Sequence, residues 1–386
     1  MPRMTGAGRY VIELAQRLPR LADDLTVEVL LLPAMRATSI PAMLTDAGVK
    51  VHYVGVRIAS LTQWLVMPSV LHRLRPDLYH YPFLDLPYVG FPSVVTLYDL
   101  NPILQADYFN HLRRLKRAAA RTLIRSTLRR SRAALAISEA TRRLIQDHYP
   151  ESAHKVRTIH LGVDPAAWAG SASGVGDAGN TGDEHGQWKG RSYALYVGVD
   201  RPHKNLVRLV RAFSRFRVTN GWEQGTGPYL WLAGVGLGSP QLQAEISEMA
   251  LARDVRLDPE MDEAGLRAAY LGAHTVAYVS TSEGFGLPLL EAFAAGVPVV
   301  SADASSLPEV GGDAVLYTNP HDELAIAEAL ARIWNDEDLR RTLAERGRRR
   351  AQEFSWHATA TATVEVYYDV LQCERTTGQR MGTLRT

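Results

Sequence analysis

The chain has 386 residues, 46% of them apolar, so at about 150 residues per domain it holds material for two to three cores and is neither a fibre nor a disordered tail. Lys and Arg number 43 against 41 Asp and Glu, and the resulting +2 offers no electrostatic footing for nucleic acid as the main partner. The single Cys373 has no intrachain partner, no run of 18 apolar residues is present to cross a bilayer, and the opening residues lack the apolar stretch of a secretory signal; together these predict a cytoplasmic protein.

Taken in chain order, Gly6-Ala-Gly8 followed by apolar Tyr10, Val11, Leu14, Ala15 and Leu18 reads as a phosphate-type turn opening a helix, although no strand precedes it. Strands are then expected at Val27 to Leu32, Val49 to Val56, Asp77 to Tyr81, Val94 to Leu97, Ala133 to Ile137 and Val156 to Leu161, with helices between them. Residues 170–190 contain 7 Gly and few large apolar side chains, the composition of a flexible linker. The rhythm resumes at Tyr193 to Val197, Tyr229 to Ala233, Val255 to Leu257, Thr275 to Val279, Val297 to Ser301 and Ala314 to Tyr317. Leu324 to Leu371 reads as helices, with breaks at Gly347 and at Phe354-Ser-Trp356. Alternation of this kind predicts an α/β protein with two doubly wound parallel sheets, and ligands of such sheets bind beyond the carboxyl ends of the strands, here in an expected interdomain cleft.

The segment Thr281-Ser-Glu-Gly-Phe-Gly-Leu-Pro-Leu-Leu-Glu-Ala-Phe-Ala-Ala-Gly-Val-Pro-Val-Val300 carries the most chemistry. It follows a strand, passes Gly284 and Gly286, enters a helix near Pro288 and leaves it at Gly296. A glycine loop feeding a helix N-terminus offers backbone N–H groups and the positive end of the macrodipole to an anion. Glu291, with Ala295 four residues on and hence no i,i+4 partner, suits the vicinal hydroxyls of a ribose. Glu283 suits a sugar near the phosphate or, in the plainer reading, caps the helix.

With its context, the E-x7-E spacing of Glu283 and Glu291 resembles the donor-site signature of the family-4 retaining glycosyltransferases of the GT-B fold. Further likenesses run along nearly the whole chain: Gly6-Ala-Gly8-Arg9-Tyr10, Val94-Val-Thr-Leu-Tyr-Asp-Leu100, Ser138-Glu139, Leu161-Gly-Val-Asp164, Tyr196-Val-Gly-Val-Asp-Arg-Pro-His-Lys-Asn-Leu206 and Ser305-Ser-Leu-Pro-Glu-Val310. The resemblance implies two Rossmann-like domains. Residues 1–169 would bind the acceptor, 170–190 would link, 191–354 would bind a nucleotide-sugar donor, and 355–386 would supply a terminal helix that packs back on the first domain, and a tail. It implies no metal or other cofactor, and a hexosyl transfer with retention, mannose from GDP-mannose being the commonest family case, to a glycan or lipid-linked acceptor in polysaccharide assembly. Relatives begin with a strand ahead of the glycine turn, so either the native start lies upstream or the central position of the first sheet stays open.

On this reading Lys204 neutralises the departing diphosphate, with Arg201 or His203 as a second phosphate contact. Glu283 and Glu291 hold the sugar and the ribose, and Gly284, Phe285, Gly286 and Leu287 present backbone N–H groups. Gly6 and Gly8 form the first glycine turn. Tyr98 stands where many relatives have a His, which moves weight to Asp99 as the active-site residue of the first domain or, equally, as a structural cap. His80, ending the strand at Tyr79-His-Tyr-Pro82, faces the same cleft by position, though the reading favoured is a satisfied core histidine. Residues 111–132 hold nine Lys/Arg and no acid, with Leu112, Leu115, Ala119, Leu123 and Leu128 on one stripe: a helix for an anionic membrane face, such as the inner face of the plasma membrane, or a solvated basic face. Asp336-Glu-Asp338 matches a metal-binding D-x-D pattern but opens a charged helix. Rival readings are a glycosidase using the two glutamates, a non-catalytic nucleotide-sugar scaffold and a sugar-nucleotide epimerase.

Overall fold

The computed structural model describes residues 6–56, 60–104, 113–168, 188, 190–234 and 236–383, and the linker expected at 170–190 lies almost wholly outside them. The chain divides into two units, residues 1–161 with 356–386, and residues 162–355.

In the first unit α1 (Gly6–Leu21) leads to β1 (Glu28–Leu31), α2 (Ile40–Asp46), β2 (Lys50–Tyr53), α3 (Leu61–Leu74), β3 (Tyr79–Tyr81), β4 (Ser93–Leu97), α4 (Asn101–Leu104), α5 (Arg113–Arg130), β5 (Ala133–Ala136), α6 (Glu139–His148) and β6 (Val156–Thr158). The second contains α7 (Pro165–Trp168), β7 (Tyr193–Val197), α8 (Leu206–Thr219), β8 (Tyr229–Ala233), α9 (Pro240–Glu248), β9 (Val255–Asp258), α10 (Glu263–Leu271), β10 (Thr275–Tyr278), α11 (Leu287–Ala295), β11 (Val299–Ala302), α12 (Leu307–Gly311), β12 (Val315–Thr318), α13 (Glu323–Asn335) and α14 (Glu337–Gln352). The last helix, α15 (Trp356–Thr383), belongs to the first unit. Each strand read from the sequence is present, most of them shorter by a residue or more.

The second unit has one parallel six-stranded sheet, ordered β12-β11-β10-β7-β8-β9. Its central strand Tyr-Ala-Leu-Tyr-Val is buried throughout, as a strand covered on both faces must be. Chain direction across the sheet reverses between β7 and β10, which makes that junction the switch point where a ligand site is expected. The first unit differs. Its described strands form two separate parallel sheets, β1-β2 and β3-β4-β5-β6, each with its own apolar cluster.

The division between units falls at Leu161/Gly162, earlier than the expected 169. The Val163 N–H donates to the Phe354 carbonyl at 3.0 Å, Val163 bridges to Ser355, and Trp168 packs edge-on against Tyr270, all within the second unit. Helix α15 is keyed to the first unit by polar contacts: Thr359 Oγ1 to the His160 carbonyl at 2.8 Å, Arg157 to Asp369 at 2.6 Å and Tyr367 to His80.

Two sequence expectations need correction. Gly6 and Gly8 do not form a turn; they lie in the first turn of α1. Gly347 does not break the terminal helices. It lies inside α14, where a Cβ would come within 2.8 Å of the Phe293 ring, so the residue is small to let α14 approach α11. The helix boundary is instead at Asp336, whose carboxylate accepts from the Leu339 N–H at 2.8 Å. That capping duty is the role of the D-x-D segment, and no group of three or more His, Cys, Asp or Glu able to hold a metal occurs among the described residues.

Candidate functional site

The site is assembled at the switch point of the second sheet. Strand β7 ends at Val197, and the chain runs through Asp200 and a short 3-10 turn, Pro202–Lys204, before αL Asn205 starts α8. Neighbouring β10 ends at Tyr278 and delivers Glu283. Because β7 and β10 are adjacent and parallel, residues 79 apart in sequence meet: Lys204 Nζ lies 2.7 and 2.9 Å from the two Glu283 carboxylate oxygens. The same ammonium donates to the Tyr278 hydroxyl at 3.1 Å. Burial alone would raise the Glu283 carboxyl, but the Lys204 charge beside it brings its pKa below the ordinary carboxylate value, so it is ionised at neutral pH. Tyr278, stacked on Tyr196 at 5.8 Å, is pushed well above the usual tyrosine range by burial and the nearby carboxylate, and stays a neutral phenol.

The loop after Glu283 is held from β11. Ser305 and Ser306 donate to the Glu283 carbonyl at 2.7 and 3.0 Å, and Ser306 also donates to the Phe285 carbonyl at 2.8 Å. Phe285 is buried edge-on against Phe354, so its side chain packs in the core rather than lining the site. Gly286 has φ 116° and forms the N-cap of α11, with the Leu307 side chain 3.0 Å from where a Cβ would stand. The helix therefore starts at Leu287, with Pro288 in its first turn and Gly296 at its C-cap.

Glu291 is on α11, 7% exposed, and accepts from the Tyr270 hydroxyl at 2.8 Å. His203 is half-buried, and burial followed by the Lys204 charge drops its pKa to about 4. It is thus a neutral ring at pH 7, able to hydrogen-bond a phosphate but not to neutralise it, whereas Arg201 is exposed and cationic. The His203 carbonyl accepts from the Thr281 N–H at 2.8 Å, tying the two loops together.

Sequence reasoning missed Tyr278, Tyr270 and the glycines after β8. Gly234 would place a Cβ 1.6 Å from the Gly198 carbonyl oxygen, so the loops after β7 and β8 touch backbone to backbone there. Asp200 strengthens the contact by accepting from the Ser239 N–H at 3.0 Å. The alternating glycines at 234, 236 and 238, directly after a strand, were the available signal.

In the first unit, Asp99 accepts from the Asn101 N–H at 2.9 Å and so caps α4. The Tyr98 ring packs edge-on against Tyr10 at 5.9 Å. Its hydroxyl is buried without a hydrogen-bond partner, and burial raises it far above a range useful for proton transfer. His80 is satisfied on both nitrogens, by Tyr367 at 2.5 Å and Thr96 at 2.8 Å, and burial lowers its pKa to about 3. The basic helix α5 buries Ile124, Thr127 and Leu128, leaving Leu115 69% exposed, so the expected stripe divides between core and surface; Leu112 lies outside the described residues. Arg117 is spent on the Ile103 carbonyl and Arg125 on Glu151, while Arg130 lies 5.3 Å over the Trp64 ring. No described helix is long and apolar enough to cross a membrane.

A buried cation and carboxylate meet at the switch point, beside a glycine-capped helix start, where a parallel α/β sheet is expected to hold its ligand. Comparison with known proteins agrees. The family described as glycosyltransferase family 4 matches residues 4–167 and that described as glycosyl transferases group 1 matches residues 181–350, so the chain belongs to the family-4 glycosyltransferases and has the GT-B fold. It is similar to the O-antigen chain mannosyltransferase B of Escherichia coli, 28% identical over 389 residues that cover 94% of this chain and 96% of that one. Among solved structures, Anabaena HepE with UDP-glucose superposes with a TM-score of 0.72 at 19% identity, covering 96% and 97% of the two chains. A glycosyltransferase from Rickettsia africae gives 0.71 at 14% identity, again over 96% and 97%.

Proposed function

We propose that this glycosyltransferase moves mannose, with retention of configuration, from a nucleoside-diphosphate sugar, GDP-mannose, to a hydroxyl of a growing glycan or lipid-linked acceptor. The observation that carries the reading is the Lys204–Glu283 pair at the switch point beside the start of α11. A donor diphosphate reaching this point meets the Lys204 ammonium and the positive end of α11, which stabilise the charge that develops as the bond from the anomeric carbon to the diphosphate breaks. The acceptor oxygen bonds to that carbon on the face the diphosphate leaves, and the acceptor hydroxyl passes its proton to the departing diphosphate oxygen, giving nucleoside diphosphate and the glycoside. Glu283 orients the sugar and Glu291 the ribose; with these charges supplied by the protein, the transfer runs without a metal or other cofactor.

The likeness over nearly full length to a mannosyltransferase of O-antigen assembly supports mannose and a polysaccharide acceptor, and the structural likeness to a protein solved with UDP-glucose supports a nucleotide-sugar donor. The acceptor is assigned to the first unit. Its cationic helix α5, with exposed Lys116, Arg121 and Arg129, supports a cytoplasmic enzyme resting on an anionic membrane face. The deciding experiment incubates the protein with GDP-mannose, UDP-glucose or ADP-glucose and a panel of oligosaccharide and lipid-linked acceptors. Acceptor-dependent GDP release and an α-mannoside in the product are expected. Donor hydrolysis indifferent to acceptor, or epimerised donor, would overturn the proposal.

A further inference from the structure

Tyr278 is the last residue of β10 and is 1% exposed. Its ring stacks on Tyr196 of β7, with centres 5.8 Å apart and planes 14° from parallel. Tyr196 is fixed in turn: its hydroxyl donates to the Val199 carbonyl at 3.2 Å, and a Cβ at Gly198 would collide with that hydroxyl, so the chain leaving β7 passes directly over it. The stack therefore joins the end of β10 to the start of the loop that carries Lys204. Phenylalanine would fill the same ring position. What tyrosine adds is a hydroxyl, and a buried hydroxyl is destabilising unless it is hydrogen-bonded.

The partners of that hydroxyl are the two charged groups of the site. Its oxygen accepts from Lys204 Nζ at 3.1 Å, and the ammonium lies 5.5 Å from the ring centre. Its proton is donated to the Glu283 carboxylate; burial first, then the neighbouring carboxylate and this hydrogen bond, hold that proton on the phenol. An ammonium has three N–H groups, and three acceptors surround this one: Glu283 Oε1 at 2.7 Å, Oε2 at 2.9 Å and Tyr278 Oη at 3.1 Å. A diphosphate that takes one of these N–H groups displaces an acceptor. Where that acceptor is a Glu283 oxygen, the carboxylate stays buried with part of its partner gone, which is destabilising. A hydroxyl bonded to both members of the pair offsets this, because it goes on donating to Glu283 and accepting from Lys204 while the ammonium redirects its other N–H groups.

We propose that Tyr278 is the positioning residue of the donor site: one hydroxyl, accepting from Lys204 and donating to Glu283, holds the ammonium at the end of β10 and keeps the carboxylate hydrogen-bonded when the ammonium turns from Glu283 to the diphosphate. This rests on the reading of Lys204 as the cation for the diphosphate. The tyrosine proton stays on its oxygen throughout. Donor affinity has other sources, Glu291 and the start of α11 among them, whereas the direction of the ammonium matters most as charge builds on the departing oxygen. Loss of the hydroxyl therefore falls on turnover more than on donor binding.

The test compares Tyr278→Phe, which keeps the stacked ring, with Tyr193→Phe, which removes from the same sheet a buried hydroxyl bonded to the Ala269 carbonyl at 2.8 Å. Melting temperature, GDP affinity by titration calorimetry, and the rate of GDP release from saturating GDP-mannose, to the acceptor panel or to water, are read for each. Both variants should melt slightly lower than the parent. Tyr278→Phe should bind GDP within about threefold of the parent yet release it from GDP-mannose roughly ten- to a hundredfold more slowly, the value of a hydrogen bond between a hydroxyl and a charged group. Tyr193→Phe should match the parent in both. Added to Glu283→Gln, the Tyr278→Phe change should slow release little further, because one of the two charges it positions is already gone. Parent turnover in Tyr278→Phe beside a slow Lys204→Met would overturn the positioning role and leave the donor site standing. Equal slowing in Tyr278→Phe and Tyr193→Phe would assign the loss to stability and overturn the role as well. Parent turnover in Lys204→Met would overturn the reading of the site, and the role with it.

Discussion

Lys204 and Glu283, one following β7 and the other β10, are each other's partner: the ammonium bridges both carboxylate oxygens and also donates to Tyr278. Their side chains are only 13% and 9% exposed. The cation proposed for the diphosphate and the carboxylate proposed for the sugar are therefore held in register with one another.

Removing one partner leaves the other charged and buried. Lys204→Met is expected to lower stability by about 3 kcal/mol and turnover by roughly tenfold to a thousandfold, since a buried pair broken on one side is far costlier than a surface one. Adding Glu283→Gln should restore much of the melting temperature but none of the turnover. Thermal unfolding and product formation for the two single variants and the double variant measure both; a double variant as unstable as the sum of the singles would contradict the pairing.

Glu291 and Tyr270 form the second pair to test. Glu291→Ala should raise the donor KM by roughly ten- to a hundredfold, the value of one or two hydrogen bonds to a charged group. Tyr270→Phe, which keeps the carboxylate and removes its 2.8 Å hydroxyl partner, should raise it less. Isothermal titration with the nucleoside diphosphate separates the two, and an Ala variant binding like the parent would remove Glu291 from the site.

His80 makes the first unit acid-sensitive. Its pKa falls from 6.5 to about 3 on folding because the ring is buried. Between those values the unfolded chain holds a proton that the folded one does not, so stability is full above about pH 7 and declines as pH falls toward 3, by up to about 1.4 kcal/mol per unit. Urea unfolding at pH 7.5, 6 and 5 checks this, with His80→Gln showing a shallower decline; the same slope in both proteins would assign the acid sensitivity elsewhere.

For membrane docking the informative cations on α5 are those without a structural duty. Replacing exposed Arg121 and Arg129 by Gln should weaken co-sedimentation with vesicles rich in anionic lipid by roughly thirtyfold, at about 1 kcal/mol per charge, and salt should weaken the parent likewise. Neutral vesicles should bind neither protein. Unchanged sedimentation of the double variant with anionic vesicles would remove α5 from the docking face.

Much of this molecule is local information. The strands of the second sheet were legible because a buried parallel strand is a short unbroken run of β-branched and apolar residues, as in Tyr193 to Val197. The start and end of α11 were legible because Gly286, Pro288 and Gly296 each suit only a few backbone conformations. The E-x7-E pair was legible because both residues lie on one continuous loop and helix. By contrast, nothing local announces that Lys204 meets Glu283, that Tyr270 supports Glu291, that Gly347 admits Phe293, or that α15 returns to the first unit through Tyr367 and His80. Those relations depend on which strands become neighbours, and that is decided by burial between segments far apart in the chain, where each contact is weak alone and the order of the whole sheet selects among them. The sequence by itself determined the elements and the chemistry carried at their ends; only the tertiary structure decided which of those ends share a site.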